Sequence, residues 1–312
     1  MPPRSKTVPA SFSGHADGLG DFSLCVVSCK EFCWRARGDL GMNPLTNCQD
    51  RDSLEREARY LHQAAPLGNG MVLCRVLGKY ILYADAQDVG ITPHLCLDGF
   101  WESWITLAVM RLVQPGWHCV DVGANCGYYT LLLADLVGKT GRVLAVEPNP
   151  AVVQLLERSV EVNGFQNITE IAQRAAADRT GKRVSLFIPR ERSMDASLVP
   201  APRASDVPVQ TVAVDEVTAN WSRVDFIKID AEGAEESIWQ GMRKTLERHP
   251  DICIVMELRC ERYANPGAFL GVIRQAGFRF RYIDYDGSVQ ETEEEHILCR
   301  RSSEDWILFL RR

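Results

Sequence analysis

The sequence predicts an α/β fold, in which a mostly parallel sheet is covered by helices on both faces and closed by an antiparallel C-terminal strand pair. Three observations predict it. From His118 onward, short apolar runs of strand length alternate with longer runs at helical spacing, the pattern of successive βαβ units. In RVLAVE the four residues between the terminal Arg and Glu are all apolar, as in strands buried on both faces. The last two runs, FRFRYIDYDG and DWILFLRR, are joined only by the acidic stretch 291–295, which leaves no room for a well-defined crossover helix, so they pair antiparallel.

The elements follow in chain order. Residues 1–50, rich in Gly, Pro and Ser, read as a lead-in, and the extension is drawn as partly ordered over 1–70. Within it, SLEREARYLHQAA (53–65) predicts a helix capped by Ser53 and broken at Gly68-Asn69-Gly70. The main domain is drawn over 71–312, with a hairpin and a helix occupying 71–114. MVLCRVLGKYILYAD turns at Gly78-Lys79, and GFWESWITLAVMRLV is helical until Pro115-Gly116 stops it. Strands are expected at 118–122, 142–147, 168–174, 224–230 and 252–258, and helices near 127–137, 150–163, 233–248 and 267–276. RVSLFIP and VPVQTVAVDEV add strands between the third and fourth units. No internal repeat is visible.

Bulk properties narrow the partners. In 312 residues of 46% hydrophobic composition there is ample material for an α/β core, and a net charge of -6 supplies no broad basic field for nucleic acid. Eleven cysteines, an odd number, with no secretory segment after MPPRSK, fit reduced thiols in the cytoplasm. No apolar run approaches the roughly 18 residues that cross a bilayer, so no membrane partner is expected. Cys25, Cys29 and Cys33 are evenly spaced, but without a Cys-x-x-Cys pair or a matching His pair they read as small hydrophobes.

The stretch VDVGANCGYYTLLLA (120–134) carries the first functional signal. Gly123 and Gly127 follow the first strand, where an open parallel sheet binds its ligands, and Gly127 opens a helix whose N–H groups face that position. Asp121 at the strand tip would repel a pyrophosphate and attract an ammonium or a ribose hydroxyl. S-adenosylmethionine has that character, with its carboxylate taken by the helix N-terminus and the Thr130 hydroxyl and its ammonium facing Asp121. Glu147, ending the second strand about twenty residues on, is placed to accept the ribose hydroxyls, supported by Asn149. After the third strand, Ala175, Ala176 and Ala177 leave room for an adenine ring, with Asp178 either at its rim or starting the turn that Gly181 completes. A dinucleotide oxidoreductase would need G-x-G-x-x-G after an uncharged residue, and this loop has neither.

VDFIKIDAEGAE carries the second signal. Strand alternation sends Phe226, Lys228 and Asp230 to one face, and a lysine inside a central strand needs a partner. Asp230 and Glu257 end neighbouring strands about 4.8 Å apart, so both acids converge where a hydroxyl acceptor is deprotonated, with Lys228 beside them. The bland alternative is that Asp230 and Glu232 cap a helix beginning at Gly233. Two acids also permit Mg²⁺, but with only Glu232 as a nearby third ligand no metal site is assigned. Glu102, amid aromatics in GFWES, either helps close the pocket, the reading preferred here, or is an exposed helix-start acid, whereas Trp101 and Trp104 are assigned to the core.

The ordered set DVGANCGYYT, AVEPNP, AAADRTG, VDEV and FIKIDAEGAE, spanning about 101–258, resembles the FkbM family of S-adenosylmethionine-dependent methyltransferases. The resemblance implies a class I Rossmann-like sheet of seven strands and O-methylation of a hydroxyl on a sugar, polyketide or other secondary metabolite. It implies that Asp121, Gly123, Asn125, Gly127 and Glu147 line the cofactor site, with Lys228, Asp230 and Glu232 beside the reaction centre. Asn125 takes the place of a glycine common in other methyltransferases, a feature the family shares; Cys126 stands where the family favours a branched aliphatic residue. The Asn-Pro-Pro-aromatic run of amino-adenine N-methyltransferases is absent from the fourth strand, which ends in Asp-Ala-Glu-Gly.

Overall fold

The computed structural model describes residues 48–200, 203–299 and 305–312. The cysteine cluster at 25, 29 and 33 and the lead-in to residue 47 lie outside them.

The described chain opens with α1 (Arg51–Leu61), β1 (Gln63–Gly68), β2 (Met71–Val76) and β3 (Tyr80–Asp85), followed by α2 (Ile91–Leu97) and α3 (Ser103–Leu112). The α1 cap is Asp50, not Ser53: Asp50 accepts from the Ser53 N–H while the Ser53 hydroxyl faces the Asp50 backbone, a reciprocal capping box. The helix ends at Leu61 instead of 65, because Gln63 to Pro66 pair in register with Arg75 to Val72 and this ladder outweighs their helix propensity. A boundary at residue 70 therefore falls inside a three-stranded sheet ordered β1-β2-β3.

The main units are β4 (His118–Val122), α4 (Tyr128–Val137), β5 (Arg142–Val146), α5 (Pro150–Val162) and β6 (Thr169–Ala172). An excursion follows: β7 (Ala175–Ala176), β8 (Arg183–Pro189), β9 (Ala204–Val212) and α6 (Val214–Val217). These strands form a separate sheet, β7-β9-β8, and the VDEV expected to extend a strand is the short helix α6. The chain then runs through β10 (Phe226–Ile229), α7 (Glu235–Gly241), α8 (Arg243–Arg248), β11 (Cys253–Leu258), α9 (Pro266–Gln275), β12 (Arg279–Ile283), β13 (Val289–Glu291), α10 (Glu294–Cys299) and β14 (Trp306–Arg311).

Two expectations change here. The helix expected over 233–248 breaks at Met242, just after Gly241, whose site has no room for a Cβ: one would lie 2.0 Å from the Ala177 carbonyl oxygen. The connection expected to lack a crossover helix holds β13 and the short α10, and β12 and β14 pair antiparallel as expected, so only these two added elements are new.

The main sheet is ordered β13-β12-β14-β11-β10-β4-β5-β6. Pairings from β11 to β6 are all parallel, and β14 runs antiparallel between β11 and β12. Alternate residues serve two cores: Cys119, Val143, Ala145, Phe226 and Val255 pack on one face, Val120, Val122, Leu144, Ile227 and Ile229 on the other. The chain builds outward from β4 to β6 and then returns to lay β10 on the other side of β4. That reversal puts the carboxyl ends of β4 and β10 side by side, the position at which an open α/β sheet forms a crevice.

Candidate active site

Gly123 and Asp230 meet at this crevice. Gly123 has φ +77°, and a Cβ there would stand 1.8 Å from the Asp230 carbonyl oxygen, so only glycine lets the loop after β4 pass under the end of β10. The close approach that glycine permits is thus to Asp230. Asn125 is also left-handed at φ +49°; its side-chain oxygen accepts from the Cys126 N–H (2.6 Å), which supports that conformation locally. Gly127, at φ +99°, caps α4 with its Cα facing Leu156, outside the cavity lining.

A cavity of about 110 Å³ opens over these tips. Gly123, Asn125, Glu147, Ala176, Lys228, Asp230 and Glu257 line it, together with Glu102 and Glu232. Glu147 is held by two backbone donors: the Asn125 N–H reaches one oxygen (2.9 Å) and the Asn149 N–H the other (2.8 Å). Burial nevertheless pushes its carboxyl up to about 7. Asn149 acts through that N–H, and its side chain caps α5 by accepting from Ala151 (3.1 Å).

Three predicted contacts are placed elsewhere. Asp121 is fully buried beneath the loop, and the Thr130 hydroxyl, also fully buried, donates to its Oδ2 (2.6 Å). Thr130 is therefore engaged by Asp121 and does not face the cavity, because its turn of α4 points into the core. Burial raises the Asp121 carboxyl, opposed by Lys228, and Oδ1 has no hydrogen-bond partner among the described residues. Asp178 lies outside the cavity, bound to Lys182 (2.9 Å) and Arg179 (3.0 Å) on the surface. Of the residues expected beside the adenine ring, Ala175 and Ala176 of β7 line the cavity, with Leu186 and Val152 nearby in the lining.

The second constellation is dense. Lys228 is 4% exposed; its ammonium donates to Asp230 Oδ2 (3.0 Å) and lies 4.7 Å from the centroid of the Tyr129 ring. Ligand atoms of Asp230, Glu232 and Glu257 all lie within 4.8 Å of one another. Arg262 spans two of them, donating to Glu257 (3.1 Å) and to Glu232. Burial, then Asp230 and other nearby acids, hold the Glu257 carboxyl well above its ordinary range, and burial lifts Glu232 to about 7. Glu102, left-handed at φ +39°, accepts from the Tyr129 hydroxyl (3.1 Å) and is also raised to about 7 by burial.

Helix capping does not account for these acids. α7 begins at Glu235, and it is the Glu235 carboxylate that takes the Ala231 and Gly233 N–H groups (3.0 and 3.2 Å), leaving Asp230 and Glu232 to the cavity. Arg262 and Tyr129 were not singled out from sequence; Arg262 sits five residues beyond the strand-end acid Glu257, an offset with no motif attached. Met194 and Ser197 reach the cavity from the β8–β9 connection, where Asp88 accepts from the Ser193 hydroxyl (2.9 Å) and the Met194 N–H (3.1 Å) and the Ser197 hydroxyl donates to the Glu232 carbonyl (2.8 Å). Trp101, assigned to the core, also lines it.

The residues present fit a cationic nucleoside. A fixed carboxylate at the second strand tip and small side chains along β7 suit a ribose and a base, the acids of the lining suit a cation, and among the described residues of the lining the one basic side chain, Lys228, is already paired with Asp230. This sheet order, with its switch point and acidic strand tips, is that of a class I S-adenosylmethionine-dependent methyltransferase. The chain belongs to the Methyltransferase FkbM domain family, whose sequence model matches residues 121–280.

Among curated proteins, it is similar to a protein-L-isoaspartate O-methyltransferase of Aeropyrum pernix, 41% identical over 58 residues (19% of this chain, 22% of that protein). A wheat (Triticum aestivum) protein of the same description is 41% identical over 49 residues (16% and 21%). The chain thus spans about a fifth of the length of these relatives. Among solved structures, an FkbM methyltransferase from Methylobacillus flagellatus shares 16% identity at a TM-score of 0.39, covering 64% of this chain and 48% of that one. Aeropyrum pernix fibrillarin with bound S-adenosylmethionine shares 11% at 0.38, covering 77% and 94%. No described helix is long and apolar enough to cross a membrane.

Proposed function

We propose that the chain methylates a hydroxyl oxygen of a small neutral acceptor, a sugar, polyketide or similar metabolite. The observation that carries this is the convergence of Asp230 and Glu257 beside Lys228 on the cavity wall. The curated relatives are by name O-methyltransferases, which supports oxygen as the methylated atom.

When bound, S-adenosylmethionine supplies an electrophilic methyl group. Glu147 accepts the ribose hydroxyls, and Asp121 supplies negative charge below the loop. With the cofactor bound, the acceptor oxygen would take the methyl group as the methyl–sulfur bond breaks and S-adenosylhomocysteine leaves, while the hydroxyl proton passes to Asp230, whose Oδ2 is held by Lys228. General-base help of this kind contributes about 10²- to 10⁴-fold. Glu257, held by the Arg262 guanidinium (3.1 Å), stands beside Asp230 and orients the acceptor oxygen. Holding the reacting atoms in line supplies roughly 7–11 kcal/mol more.

A labelled-methyl transfer assay against hydroxylated metabolites and their amine counterparts tests the reading. Transfer to hydroxyls that Asp230→Asn abolishes, with cofactor binding retained, is expected; transfer to the amines alone would sink it.

A further inference from the structure

The cavity over the strand tips is smaller than its ligand requires. At about 110 Å³ it falls well below the roughly 300–1,000 Å³ of pockets that bury a small-molecule ligand, so a wall has to move before S-adenosylmethionine can enter. The strand ends and the loop after β4 are poor candidates, since they are built into the central sheet and Gly123 packs against Asp230 without slack. The connection between β8 and β9 is a better one. It supplies Ser193, Met194, Ala196, Ser197 and Leu198 to the lining, and its two strands belong to the separate sheet β7-β9-β8. This segment can shift without breaking a ladder of the main sheet.

Polar contacts hold the segment down, and one buried carboxylate organises them. Asp88, in the turn between β3 and α2, is 3% exposed. Its Oδ1 accepts from the Gly90 and Ile91 N–H groups (2.9 and 3.0 Å) and fixes its own turn. Its Oδ2 reaches across to the Ser193 hydroxyl (2.9 Å) and the Met194 N–H (3.1 Å). The Val89 N–H donates to the Glu191 carbonyl (2.7 Å) beside it, and the Ser197 hydroxyl to the Glu232 carbonyl (2.8 Å) at the far end. The Phe187–Ser197 bridge ties the segment only to its own strand, β8. No side chain across 191–200 is fully buried, so apolar packing adds little to these contacts. Met194 seats directly on Gly90, where a Cβ would lie 2.0 Å from its Sδ. Glu191, at the near end, is a non-glycine residue at φ +65°, a costly conformation that lifting the segment relaxes.

We propose that residues 191–198 form a strap that lifts to admit and release the cofactor, and that Asp88 is the positioning residue that latches it shut. Ile91, held by the same carboxylate, also lines the cavity, so the latch joins both sides of the opening. The inference rests on the cofactor site alone and holds whichever acceptor is methylated.

Stopped-flow fluorescence of the full chain mixed with S-adenosylhomocysteine tests it, with Trp101 in the cavity wall as reporter. In wild type the observed binding rate should level off at the strap's opening rate as ligand concentration rises. Ser193→Ala removes one latch bond from a half-buried side chain and should raise that plateau and the dissociation rate roughly 3- to 10-fold. Asp88→Asn keeps an acceptor for the Gly90 turn but sets an amide against the Met194 N–H, and should raise both rates at least as much. Because entry and exit quicken together, affinity from calorimetry should change less than either rate. The double variant Gly90→Cys/Met194→Cys joins two positions already in contact, and once oxidised to the disulfide it should exchange ligand only after reduction. A wild-type rate that stays linear in concentration, plateaus not raised in either single variant, or a cross-linked protein that exchanges as fast as its reduced form overturns the proposal.

Discussion

Lys228 and Asp121 are register partners on adjacent parallel strands, an ammonium and a carboxylate facing the same layer where the sheet reverses. Asp230, Asp121 and Glu102 together outweigh the burial that would strip Lys228 of its proton, and its pKa is raised. Removing one member of a buried pair costs about 3–5 kcal/mol, because the survivor is left charged and unmatched. Lys228→Met is therefore expected to lose that much stability in urea denaturation. Adding Asp121→Asn should restore part of it; two losses that simply add would show that the two charges are not coupled.

Asp230 is asked to take a proton. Asp230→Asn should lower turnover by roughly 10²- to 10⁴-fold and leave cofactor affinity nearly unchanged, since Glu147 and Asp121 remain. Single-turnover kinetics and calorimetry on one preparation separate the two effects. Undiminished turnover would remove Asp230 from the catalytic assignment.

Glu147 gives a pH dependence of definite sign. Its carboxyl is raised from 4.5 to about 7 in the fold, so it stabilises the native state while protonated, fully below about pH 4.5, and that contribution is lost as pH rises through about 7. The shift corresponds to something on the order of 3 kcal/mol. Melting of the cofactor-free protein should show wild type losing stability over this window relative to Glu147→Gln. Accepting ribose hydroxyls requires the ionised form, so S-adenosylmethionine affinity should rise over the same window in wild type alone. A flat affinity profile would argue against Glu147 as a ribose contact.

Arg262 supplies positive charge to the acidic cluster. Its guanidinium bonds Glu257 and Glu232, and Lys228 bonds Asp230, so each carboxylate of the candidate metal triad already has a cationic partner. Turnover is expected to be indifferent to chelator, and Arg262→Leu to lose activity by about tenfold or more as two acids are left facing each other. Restoration of activity by Mg²⁺ after chelation of the wild type would contradict this.

Gly123 admits no side chain. Gly123→Ala combines φ +77° with a Cβ 1.8 Å from the Asp230 carbonyl oxygen, and the expected loss is about 3 kcal/mol or more. Chemical denaturation measures it, and a near-neutral variant would mean that the crossing of loop and strand end is looser than drawn.

The alternating core was legible because its signal is local: continuous apolar strands, helix stops at Pro115-Gly116 and acids at strand tips each follow from neighbouring residues. The positions of Gly123, Glu147, Lys228, Asp230 and Glu257 around one cavity follow from strand order, which the βαβ alternation implies. Thr130, Asp178 and Arg262 were not legible in their true roles. A hydroxyl one turn into a helix bonds either a ligand or the strand below, and only packing decides; Asp178 is drawn outward by Lys182 and Arg179. The α1 end was misplaced for a related reason, since pairing with β2 is a long-range contact that outweighs local propensity.

The crossing of Gly123 beneath Asp230 has an evolutionary corollary. Because the loop after β4 and the end of β10 touch there without slack, neither can drift independently, and a change at one position requires a compensating shift of backbone at the other.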